Sequence, residues 1–237
     1  MNESTEVLPL RSWIPGAVTA ANIAVGFVAM LLVAEQRFDL AVYLLVLAGI
    51  LDTLDGKLAR WLHATSQFGK HLDSFCDVSS FGVAPAFLIY HAALRPLGAF
   101  GIAVALTYLL AGVYRLARFN LTSDAHRKSR RTLGVPIPVA AGYIMVLSLM
   151  RDRIPPFVAV AVILVAALSM VSRWRLPSLT GVNMVTGMLL VGICNYLAVV
   201  AWPNWYTVGW WNVWNLAILF AARSAERRDA VELPVRS

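Results

Sequence analysis

Charge is what this sequence has least of. Of its 237 residues, 14% are Asp, Glu, Lys or Arg and 59% are hydrophobic. Soluble domains carry about 25% charged residues, so an ordinary water-soluble globule is excluded. Cysteine is nearly absent as well. Cys76 and Cys194 are the two present, too few for a disulfide framework, and Cys76 reads as a small buried packing residue. Acids are scarce, 13 in all, with none between Asp152 and Glu226. No repeat, low-complexity stretch or second domain is evident. No short cleavable signal with a small-residue cleavage site opens the chain. The net charge of +7 does not call for a nucleic-acid partner, because basic cytoplasmic loops account for it in a membrane protein.

What is there is a series of apolar runs. They predict an all-α, polytopic integral membrane helical bundle of about eight transmembrane helices. The runs fall at residues 15–34, 39–61, 70–92, 97–120, 134–150, 154–172, 183–202 and 205–222. Each approaches the roughly 20 residues a bilayer requires. The expected organisation is an N-terminal interfacial segment (1–14), a transmembrane domain (15–222) and a charged cytoplasmic tail (223–237). Eight spans put both termini on one side. All of the 20 Lys and Arg residues fall on that side except Arg37, Arg95, Arg151 and Arg153, which makes it the cytoplasmic side of the cell membrane. Asp39 and Asp152 fall opposite and read as solvated loop acids.

Against this background four carboxylates stand out. Asp52 and Asp55 lie near the end of the second run, with Gly56 and Ala59. Positions 52, 55, 56 and 59 share one helical face. Asp73 and Asp77 are one turn apart on the next run. A lone aspartate at a helix end is usually a cap or a partner for Arg60 or Lys57. Four on two facing segments, with small residues between them, point to function. Converging carboxylates repel unless a cation compensates them, and Mg²⁺ or Mn²⁺ takes such oxygen ligands. Gly56 and Ala59 leave room for a ligand to approach the helix, and Arg60 is placed to meet a phosphate oxygen. Asn22 is the only amide in the first run. It fits either a helix–helix hydrogen bond or a ligand contact.

The run Asp52-x-x-Asp55-Gly56-x-x-Ala59-Arg60, continued by Gly69, Asp73 and Asp77, resembles the signature of the CDP-alcohol phosphotransferase family at every fixed position. The resemblance implies two metal ions, Mg²⁺ or Mn²⁺, on Asp52, Asp55, Asp73 and Asp77. It implies a CDP site formed by Asn22, Asp52, Gly56, Ala59, Arg60 and Gly69, with Asp77 as the base that activates an acceptor alcohol. It also implies a homodimer. The family often has Pro-Asn near the start of the first helix, where this chain has Pro15-Gly16.

Three further stretches narrow the acceptor. Ser79 to Ala86, Arg115 to Asn120 and Gly134 to Gly142 are similar to those of the bacterial and archaeal CDP-diacylglycerol–serine O-phosphatidyltransferases, as are Val171-Ser-Arg173 and Pro177-Ser178. The implied substrates are CDP-diacylglycerol, or a lipid with archaeal-type tails, and L-serine. Arg115 and Arg118, one turn apart in an apolar run, are candidates for the acceptor carboxylate or a lipid phosphate. The basic loop from Arg127 to Arg131 reads as a membrane-surface contact. Glycerol 3-phosphate and inositol phosphate are the rival acceptors and should require a denser basic pocket. A cation or proton transporter is the rival of another class. It would spread polar groups along a path through several spans, whereas here the acids gather at one membrane face.

Overall fold

The computed structural model describes residues 10–63, 66–125, 132–176 and 183–232. The basic loop Arg127 to Arg131 and the pair Pro177-Ser178 lie outside them. Among the described residues the fold is all-α. Helices α1 (Leu10–Ala34) and α2 (Phe38–Trp61) form an antiparallel hairpin, which turns at Gln36 with φ 62°. Helix α3 (Gln67–Asp77) continues into a π-helical turn, Val78–Val83, then α4 (Ala84–Ile89), a second π turn, Tyr90–Leu94, and a 3₁₀ turn, Arg95–Leu97. Helix α5 (Gly98–Ala125) folds back along this composite helix. Gly98 makes the reversal at φ 57°. A Cβ at Gly101 would stand 2.2 Å from the Leu94 carbonyl oxygen, so the close approach at this corner excludes a side chain. Helices α6 (Ile137–Leu149), α7 (Pro156–Val171), α8 (Asn183–Ala201) and α9 (Trp205–Glu232) complete the chain.

Two stretches, Ile14–Ala34 and Gln67–Leu121, are long and apolar enough to cross a membrane. The second contains the reversal at Gly98. Ile137–Leu149, Pro156–Val171 and Gly192–Ala201 are shorter apolar helices, so length and apolarity do not establish all eight expected spans. Helix α2 is apolar from Leu40 through Leu51, and its run is then broken by Lys57 and by Asp52, Asp55 and Arg60, the three with candidate roles. The outward faces are strongly apolar. Leu110, Val165 and Leu168 are each more than 60% exposed, which suits contact with lipid tails and not with water. Helix α9 runs to Glu232, so most of the expected tail is helical.

Helices α1, α2, α4, α5, α6 and α7 share one core, which Val200 of α8 also joins. Helices α8 and α9 pack on each other and meet α6 through Tyr143, Val146, Tyr196, Val199 and Trp211. On the side opposite the aspartates, Asp39 opens the first turn of α2 and accepts a hydrogen bond from Arg151 at 2.9 Å. Asp152 lies 3.8 Å from the same guanidinium. Both side chains stay largely exposed, 58% for Asp39 and 84% for Asp152, in keeping with their reading as solvated acids, although Asp39 lies in the first turn of α2 and not in a loop. A helix N-terminus favours the negative charge of Asp39, and Arg151 ties the α6–α7 turn to it.

Candidate active site

Three helices build the site. Helix α2 brings Asp52 and Asp55, α3 brings Asp73 and Asp77, and α1 lies against both. One carboxylate oxygen from each of Asp52, Asp55 and Asp73 lies within 4.8 Å of the other two. Asp55 is buried, Asp52 half-buried and Asp73 exposed, so the cluster opens on the Asp73 side. Asp77 stands outside this group of three, one turn deeper along α3, and is half-buried. Its electrostatic surroundings are Asp52, Asp73 and Asp55 on one hand and the cation Arg115 on the other. As a metal ligand Asp77 rests on the family signature alone.

The start of α3 is set by Ser66, whose hydroxyl accepts the Gly69 N–H at 3.0 Å. That is an N-cap bond, and a Cβ at Gly69 would come 3.2 Å from the same oxygen. Gly69 thus has a structural role in starting the acidic helix. A Cβ at Gly56 would meet nothing within 4 Å, so the helix face beside Asp55 is open. Ala59 lies half-buried and Arg60 exposed further along this helix.

Asn22 is fully enclosed, and neither polar atom of its amide has a hydrogen-bond partner. The antiparallel packing of α1 on α2 brings Thr19 to Asp55, with Oγ1 2.7 Å from Oδ2. Three residues on, the same register sets Asn22 level with Asp52, whose Oδ1 is likewise buried without a partner. Buried polar groups are rarely left unpaired. These orphaned atoms beside three convergent carboxylates suit a cation with its ligand shell. Hard oxygen donors of this kind match Mg²⁺ or Mn²⁺.

The two arginines of α5 separate. Arg115 is 94% buried by its 6% exposure, and its Nε has no partner. Arg118 points the other way in function. Its Nη1 donates to the Val171 carbonyl at 2.9 Å, and its Nη2 lies within 3.1–3.3 Å of the carbonyls of Leu133, Met170 and Ser172. It caps the last turn of α7, where helical carbonyls lack donors. A short antiparallel ladder, β1 (Thr132–Leu133) with β2 (Arg175–Leu176), joins the same loops. Gly134 completes the joint with φ 73° and its N–H on the Trp174 carbonyl at 2.9 Å.

Sequence reasoning missed Thr19, Ser80 and Tyr108. The signal for Thr19 was its spacing from Asn22, which matches that of Asp52 and Asp55. Ser80 Oγ lies 3.4 Å from the Asn22 carbonyl oxygen and fastens the π turn to α1. Tyr108 carried no local signal.

A membrane-type helical fold with an acidic, metal-suited cluster at the end of two helices defines the class. Comparison with known proteins specifies it. The family model described as CDP-alcohol phosphatidyltransferase matches residues 12–174, and the chain belongs to that family. It is 37% identical over 142 residues to a CDP-diacylglycerol–serine O-phosphatidyltransferase of Helicobacter pylori, covering 59% of this chain and 58% of the relative. A Bacillus subtilis protein of the same name is 38% identical over 137 residues, 58% of this chain and 76% of the relative. An archaetidylserine synthase of Methanothermobacter thermautotrophicus is 38% identical over 133 residues, 54% of each chain. The match thus spans little more than half the length of the first and third of these relatives.

Proposed function

We propose that this chain transfers the phosphatidyl group of CDP-diacylglycerol to the hydroxyl of L-serine, giving phosphatidylserine and CMP. The observation that carries the reading is the convergence of Asp52, Asp55 and Asp73 within 4.8 Å in a chain similar to proteins named for that reaction. Asp52, Asp55 and Asp73, with Asp77 by family resemblance, would hold Mg²⁺ or Mn²⁺, two ions in all. When bound, such ions neutralise a diphosphate and the charge that develops on the leaving nucleotide.

The chain's own residues account for the remaining chemistry. Asp77 accepts the proton of the serine hydroxyl, which is a poor nucleophile at neutral pH. The hydroxyl oxygen forms a bond to the lipid-side phosphorus as the bond from that phosphorus to the CMP oxygen breaks. The proton then leaves Asp77 for solvent. Asn22, Gly56, Ala59, Arg60 and Gly69 make up the nucleotide side, with the open face at Gly56 as the place of closest approach. Arg115 faces Asp77 electrostatically and has guanidinium capacity to spare. It is the better candidate for the serine carboxylate, because Arg118 is committed to backbone carbonyls. The site opens at the cytoplasmic leaflet of the cell membrane, and the active form is a homodimer with one site in each protomer.

The test is CMP release by detergent-purified protein from CDP-diacylglycerol with Mg²⁺ or Mn²⁺, with serine, glycerol 3-phosphate and inositol phosphate supplied one at a time. Release with serine alone is expected. Release with a phosphorylated alcohol instead overturns the acceptor and keeps the donor.

A further inference from the structure

We propose that Thr19 is a positioning residue of the candidate metal site, holding the Asp55 carboxylate in place from the neighbouring helix. The inference rests on the metal reading above and adds to it a residue outside the acidic signature.

Thr19 and Asp55 are 6% and 4% exposed, and the hydroxyl lies 2.7 Å from Asp55 Oδ2. Thr19 Oγ1 is also 3.0 Å from the Pro15 carbonyl oxygen. A hydroxyl has one proton, and a carboxylate is the stronger acceptor, so the proton goes to Asp55. A carboxylate held this way cannot turn away from Asp52 and Asp73 without breaking a charge-assisted bond in a dry setting. Partners of this kind fix the direction in which a ligand presents its oxygen.

Thr19 is itself held on two sides. Cys76 Sγ, next to Asp77 in α3, lies 3.7 Å from the Thr19 carbonyl oxygen. One turn on, Ser80 meets the Asn22 carbonyl at 3.4 Å. Gly26 admits the contact, since a Cβ there would stand 2.7 Å from Ser80 Oγ. Helix α1 is therefore pinned to α3 by its backbone and to α2 by the Thr19 hydroxyl. It sets the spacing of the two acidic helices at the level of the cluster.

The experiment is Mn²⁺ titration of the full-length protein in detergent, with free Mn²⁺ read by electron paramagnetic resonance, alongside thermal melting without metal. Thr19→Val keeps shape and removes the donor, and its Mn²⁺ affinity should fall roughly 10- to 100-fold, the usual effect of losing a ligand's supporting bond. Thr19→Ser keeps the donor and should stay within about threefold of the wild type. If Val fails to accumulate, Thr19→Ala asks the same question. Asp55→Asn serves as the reference for a lost ligand. Should Thr19→Val bind Mn²⁺ as the wild type does, with only its metal-free melting point lowered, Thr19 is a packing residue and the proposal fails. Should the wild type bind no Mn²⁺ while folded, the metal reading fails first and takes this proposal with it.

Discussion

Tyr108 donates its phenolic hydroxyl to the carbonyl of Phe81 at 2.7 Å. Phe81 sits in the π turn that follows Asp77, and the residue four positions on is Pro85, which has no N–H to give. The tyrosine supplies the donor that the proline withholds. Both side chains are essentially fully buried. Tyr108→Phe should leave the carbonyl short of a partner and cost about 1–3 kcal/mol. The readout is a lowered melting temperature in detergent. Because this π turn follows directly on Asp77, and such turns are frequent at functional sites, turnover should fall more than Mn²⁺ affinity. Unchanged melting would show that another donor serves Phe81.

Arg115 and Arg118 should respond differently although they lie one turn apart. Arg115→Ala should raise the KM for serine by about 30-fold, the equivalent of ~2 kcal/mol, with a modest change in melting. Arg118→Ala removes charge-assisted bonds to the carbonyls that end α7 and should cost about 2–3 kcal/mol of stability. Its KM should change little in the protein that remains folded. Serine kinetics and thermal melting on both variants check this, and the reverse pattern would exchange the roles.

The contrast shows what the sequence could reveal. The acidic signature was legible because its residues sit at helical spacing on adjacent segments, and the fold brings three of its four aspartates together. Helix positions were legible for the same reason, since apolar runs and polar breaks mark them. Arg118 was not, because its partners are backbone carbonyls up to 54 positions away in sequence, and a carbonyl leaves no trace in residue type. Thr19 was half-legible: its register with Asn22 was visible, but its target depends on how α1 packs against α2. The π turns were hidden because Pro85 marks a lost donor without saying which group replaces it.

Gly134 should not tolerate a side chain. Its φ of 73° costs an L-residue about 1–2 kcal/mol. A Cβ there would also stand 2.3 Å from the Met170 carbonyl oxygen and 3.0 Å from Arg118 Nη2. Gly134→Ala should therefore disturb the Arg118 joint as well as the turn. A melting loss at least as large as that of Arg118→Ala, with partial non-additivity in the double variant, is the expected result.

The ion pair on the opposite side should matter little. Arg151 and Asp39 are 2.9 Å apart, but the Asp39 side chain is 58% exposed. Solvent screening limits such pairs to about 0–1 kcal/mol. Asp39→Asn should leave CMP release unchanged and shift melting only slightly. A large loss of activity would show that the α6–α7 turn communicates with the aspartate cluster across the fold.

Asp77 and Asp55 offer the sharpest separation of roles. Asp55 is buried among the three convergent carboxylates, so Asp55→Asn should abolish metal-dependent binding of the CDP-lipid and, with it, turnover. Asp77 lies outside that group and faces Arg115. If it serves mainly as the base, Asp77→Asn should keep CDP-lipid binding near wild type and lower kcat by about 10²–10⁴-fold. Equilibrium binding of CDP-diacylglycerol, measured with and without Mn²⁺, together with single-turnover CMP release, distinguishes the two. An Asp77→Asn protein that loses binding as completely as Asp55→Asn would make Asp77 chiefly a ligand. One that turns over normally would remove it from the chemistry, and the proton of the serine hydroxyl would then have to leave by way of solvent or Asp73, the exposed acid one turn back on the same helix.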